Sequence, residues 1–142
     1  MSDTAERLTG SWSLVEWTVS FDDGRPSTTP FGEGATGRIH YAQDGIMNAI
    51  IMAPGHAETP LRDGSAWANI LGRYMHYSGR WRIEDDAAVH AVDYAVDPAL
   101  IGRELVRAVT FEGDDLILRG SDSSPRTGSA IHHELRWRRD RD

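Results

Sequence analysis

Apolar and polar residues alternate with a period of two along most of this chain, in short runs: Ser11–Phe21, Gly37–Ala42, Ile46–Met52, Tyr77–Ile83, Ala87–Val96, Glu104–Phe111, Asp115–Gly120 and Ala130–Arg138. Such alternation is the pattern of a strand with one buried face. Turn signals separate the runs: Asp22-Asp23-Gly24, Gln43-Asp44-Gly45 and Glu112-Gly113-Asp114. An Asp-Gly pair between two such runs predicts a tight hairpin. One segment has a helical period instead. Trp67, Ile70, Leu71 and Tyr74 fall at i, i+3, i+4 and i+7 behind Ser65, whose hydroxyl suits an N-cap; Gly72 keeps the predicted helix short. The Pro- and Gly-rich stretch from Gly24 to Gly37 reads as an irregular connection.

Eight strands with mostly short connections predict an all-β fold: a closed up-and-down antiparallel barrel of about eight strands, with one short helix near its mouth. Closure removes the exposed edges of an open sheet. A barrel of this strand number has room inside for side chains or one small ligand. A flattened sandwich with a filled core is the competing arrangement. Residues 1–142 read as a single domain, since the chain is of ordinary domain length.

Particular residues carry a family likeness. Gly10 and Trp12 form a Gly-x-Trp at the head of the first run. The ordered series PFG (Pro30 to Gly32), GRIHYAQDGIMNA (Gly37 to Ala49), YSGRWRI and VHAVDYAVDPALIGRELVRAVTFEGDDLIL (Val89 to Leu118) follows. Together they resemble the small bacterial and fungal lipocalin-like domain family over nearly the whole chain. That resemblance implies a compact up-and-down barrel with a cavity and a short helix at one opening. It implies no reaction, although some related barrels act as cofactor-independent enzymes. Relatives have a small polar residue where Glu16 stands, so a role for Glu16 would be particular to this protein.

Strand parity sorts the side chains into inward and outward sets. In Ala130–Arg138 the apolar set Ile131, Leu135 and Trp137 carries His133 inward. In Tyr77–Ile83 the inward set is Tyr77, Trp81 and Ile83, with Gly79 leaving room. In Glu104–Phe111, Leu105, Val109 and Phe111 are in phase with Arg107, which places a guanidinium on the oily side. In the first run Trp12 and Leu14 carry Glu16, whereas Val15, Trp17 and Val19 form the other phase; a bulge after Leu14 would switch between them. Ala87–Val96 cannot be phased: one face carries His90 and Tyr94, the other Asp93.

A buried charge needs a partner. For Arg107 that partner is either a carboxylate of this chain, Asp93 or Glu16, or an anionic, oxygen-rich ligand; its planar fork suits a carboxylate from either source. The candidate catalytic residues are therefore His133, His90, Arg107 and Glu16. The candidate ligand-lining residues are Trp12, Tyr74, Tyr77, Trp81, Arg107, Phe111, His133 and Trp137. No metal is expected, because adjacent His132 and His133 face opposite sides of a strand and no H-x-H or H-E-x-x-H occurs. His40, His56 and His76 read as surface or rim residues.

Composition trims the remaining choices. There is no Cys, which excludes disulfides and thiol chemistry, and the basic residues are 15 Arg with no Lys, which excludes Schiff-base and P-loop lysines. The Arg bias reads as a coding effect. A net charge of -7 argues against nucleic acid. No apolar run is long enough to span a membrane, and the start lacks signal-peptide character, so a cytoplasmic protein without a membrane partner is expected. No cofactor is expected. The first functional reading is binding of a small hydrophobic or aromatic molecule with a polar or anionic end. The second is a cofactor-independent isomerase, cyclase or lyase, with a cavity His as acid/base and Arg107 stabilising an oxyanion. The third is a non-catalytic structural or assembly barrel. Homodimerisation stays open under all three.

Overall fold

A computed structural model describes residues 3–58, 72–123 and 130–141. A short helix, α1 (Asp3–Leu8), precedes eight strands: β1 (Gly10–Phe21), β2 (Thr36–Tyr41), β3 (Ile46–Met52), β4 (Tyr74–Glu84), β5 (Ala87–Ala95), β6 (Glu104–Glu112), β7 (Asp115–Ser123) and β8 (Ala130–Arg139). The strands pair antiparallel in chain order, and β8 returns to β1, so the sheet closes into a barrel. Every predicted strand is present. The predicted helix falls largely on residues 59–71, outside the described residues. Its last member, Tyr74, corrects the expectation: it is the first residue of β4, paired with Met52, because the β3–β4 ladder continues to this point.

Two bulges decide which faces point inward. Between β1 and β8 the register passes from Leu14 opposite Trp137 to Glu16 opposite Arg136, leaving Val15 as the extra residue. The phase flips there, so Trp12 and Leu14 face in, then Trp17 and Val19, while Glu16 turns out. Between β4 and β5 the register passes from Gly79 opposite Val92 to Ser78 opposite Tyr94, leaving Asp93 unpaired. Ala88, His90 and Val92 therefore face in, and Tyr94, expected on the same face as His90, is 75% exposed. Gly79 is needed at this crossing. A Cβ there would lie 2.8 Å from the Ala91 carbonyl carbon and 3.0 Å from the Val92 Cα.

The two ends of the barrel differ. One is shut by tight hairpins and by α1. Leu8 is fully buried, its carbonyl accepts from Trp12 Nε1 at 2.9 Å, and Arg7 lies over the Phe111 ring at 4.0 Å. Arg139 ties this plug down by donating to the Thr9 and Arg7 carbonyls and stacking over Trp12 at 4.0 Å. The opposite end carries the long connections after β1, β3 and β5, and it forms the mouth.

On the outer wall arginines pair with carboxylates: Arg82 with Glu84 and Glu104, Arg119 with Glu134, and Arg136 and Arg138 with Asp115. The Arg-rich composition thus has a structural use, whatever its origin. No helix among the described residues is long and apolar enough to cross a membrane.

Candidate functional site

Four polar side chains from four strands converge inside the barrel. His90 on β5 is 1% exposed. Its Nε2 is 2.7 Å from the Tyr41 hydroxyl and its Nδ1 is 2.7 Å from the Tyr77 hydroxyl, so the ring bridges β2 and β4. Burial and the charge of Arg107 push the His90 pKa down to about 3, which leaves a neutral imidazole at ordinary pH. Burial pushes Tyr77 up to about 12, with the Arg107 charge and a hydrogen-bonding contact from Arg107 acting the other way. Burial also raises Tyr41 well above the usual phenol range.

Arg107 faces inward on β6, opposite Ala88. Its side chain lies across Gly120 on β7: a Cβ there would collide with Nη1 and stand 3.0 Å from Cδ and Cζ. Nη1 donates to the Val106 carbonyl at 3.3 Å. Among the described residues no carboxylate lies within 4.0 Å of its guanidinium, whereas the outer-wall arginines named above all have one. The two carboxylates expected as partners, Asp93 and Glu16, are both exposed on the outside. They are corrected for one reason: each sits at or just after a bulge.

His133 stands nearer the mouth on β8. Trp17 Nε1 donates to its Nδ1 at 3.2 Å, and its Nε2 is 3.2 Å from Asp122 Oδ2. Because the indole can only donate, Nδ1 is the acceptor and Nε2 carries the proton. Desolvation lowers the His133 pKa, against the pull of Asp122. On its other side Trp17 meets Phe31 edge-on at 5.0 Å and helps line a mouth pocket of about 330 Å³ with Tyr74, Met75, Val96 and Leu100. A larger hollow of about 580 Å³ is lined by Thr18, Ser20, Arg119, Gly120, Ser121 and His133 among others, with neither Arg107 nor His90 in its lining.

The chain matches the family described as a lipocalin-like domain over residues 9–140. It belongs to the lipocalin-like domain family. Comparison with curated proteins yields no match. Among solved structures, the complex of bovine odorant binding protein with a selenium-containing odorant is similar at 10% identity and a TM-score of 0.49, covering 100% of this chain and 76% of that chain.

In this lipocalin-like barrel the predicted residues fall into three groups. Arg107, His90 and Tyr77 meet at mid-height. His133 and Tyr74 lie toward the mouth, although not in contact with each other. Trp12, Trp81, Phe111 and Trp137 form the floor: Trp81 Nε1 donates to the Ala42 carbonyl at 2.8 Å and packs edge-on against Tyr41 at 5.1 Å, and Trp12 and Phe111 are 6.3 Å apart. Sequence reasoning missed Tyr41, Trp17, Gly120 and Asp122. Tyr41 was legible, since it shares the phase of Ile39 in GRIHYA. Trp17 belonged to the second phase weighed for the first strand, and the bulge after Leu14 that turns it inward is present.

Proposed function

We propose that this barrel binds a small hydrophobic molecule whose anionic end meets Arg107. One observation carries the reading: an inward guanidinium with no carboxylate within 4.0 Å among the described residues, held beside Tyr77 by the gap at Gly120. Arg107 is partly buried, and a guanidinium so placed gains from an anionic partner that its fork can engage. Partly buried apolar side chains, Trp17, Met75, Val109 and Leu135 among them, suit the rest of such a molecule.

The proton-transfer reading has less behind it. His90 has both ring nitrogens held by phenols, and those of His133 are held by Trp17 and Asp122, so neither histidine presents a free basic nitrogen.

Quenching of tryptophan fluorescence by naphthalene-2-carboxylate, with naphthalene-2-carboxamide as the uncharged control, tests the proposal. Arg107→Gln weakens carboxylate binding by about tenfold to a hundredfold, the worth of a charge-assisted hydrogen bond, and leaves the amide unchanged. Equal carboxylate binding by wild type and variant removes the proposal.

A further inference from the structure

The hydrogens of the Tyr41–His90–Tyr77 chain do not balance. With a neutral imidazole the three groups carry three polar hydrogens, and the two contacts between them use two. One donor is left over, and two arrangements are open. If Nε2–H donates to Tyr41, the spare O–H belongs to Tyr41, fully buried on the floor with no second partner among the described residues. If instead Tyr41 donates to Nε2 and Nδ1–H donates to Tyr77, every floor group is satisfied and the spare O–H belongs to Tyr77. Both phenols are buried, so either arrangement leaves one unmet donor in the interior, and only in the second does that donor belong to the phenol beside Arg107, where one anion would meet both. A guanidinium only donates, so Arg107 beside Tyr77 can engage only an oxygen lone pair in either arrangement.

We propose that Tyr77 is a second ligand-binding donor beside Arg107, held by His90 as its Nδ1–H tautomer, so that the site takes an acceptor-only head group, a carboxylate or an enolate. Tyr41 is a positioning residue that fixes the tautomer through His90. The unmet valence elsewhere in the barrel has the same sign. On the floor the buried Trp137 Nε1 has no hydrogen-bond partner among the described residues. An ammonium would face only donors, and a neutral alcohol would leave the Arg107 charge uncompensated.

This inference rests on the anion-binding reading above, and two probes separate the head groups: naphthalene-2-carboxylate and 5-phenylcyclohexane-1,3-dione, whose enolate forms readily. Tyr77→Phe weakens whichever of them binds by about tenfold, as loss of one hydrogen bond to a charged group requires. Two-bond ¹H–¹⁵N correlation spectra of the wild-type protein show His90 protonated at Nδ1. If Arg107→Gln weakens binding and Tyr77→Phe does not, the Tyr77 role is wrong and the anion site stands. If Arg107→Gln changes nothing, the anion site itself falls. An Nε2–H signal for His90 overturns the tautomer assignment even where Tyr77→Phe does not fold.

Discussion

His90 links the interior network to stability at acid pH. Its folded pKa of about 3 lies below the ordinary 6.5, so between those limits the unfolded chain binds more protons than the folded one. Stability therefore falls as pH drops from 6.5 toward 3, and His133, also lowered, adds in the same direction. His90→Gln, which can still bridge the two phenols, removes part of that slope. Urea midpoints measured from pH 7 to 4 decline less steeply for the variant than for wild type; parallel declines would show that His90 is not neutral in the fold. Gly120 is the second residue with a clear consequence. Gly120→Ala drives a methyl into the flexible end of Arg107, so the guanidinium shifts with little loss of stability while carboxylate-probe binding weakens in the same protein. Denaturation and quenching on one sample check both. Arg107 was legible in the sequence because its neighbours Leu105, Val109 and Phe111 alternate without interruption. Glu16 and Tyr94 could not be placed from the sequence because the bulges that turn them out arise from pairing with another strand.

At the scale of elements, the turns repeat what the chain spells locally, with one exception. The β4–β5 hairpin places Asp85 at φ 49° and Asp86 at φ 63°, the left-handed pair that a tight primed turn requires and that Asn-Gly fits better. Asp85→Asn with Asp86→Gly therefore stabilises the protein by about 1 kcal/mol, read as a higher midpoint in thermal unfolding. A lower midpoint would mean that the Asp86 side chain, 3.5 Å from Thr4 Oγ1, contributes to seating α1. Helix α1 had no sequence signal, since it is too short for a period to register. Tyr74 shows the reverse case. Its apolar spacing from Trp67 fits a helix, yet pairing with Met52 makes it strand.

For the whole molecule, eight antiparallel strands close around a core of tryptophans, tyrosines and aliphatic side chains. The charged ladders occupy the outside, and Arg107 breaks that division. Period-two alternation is a property of the extended backbone itself, so strand number and the inward turn of Arg107 could be read from the sequence, whereas the β8–β1 pairing decided barrel over sandwich. Which groups meet inside could not be read there. Tyr41 and His90 are 49 residues apart, and only the barrel's register brings them within 2.7 Å. Likewise Asp93 and Glu16 were equal candidates to neutralise Arg107 until two bulges, fixed by cross-strand pairing, sent both to solvent. The alternation is local and survives in any single strand, whereas the site depends on register between strands, which exists only once the sheet has closed.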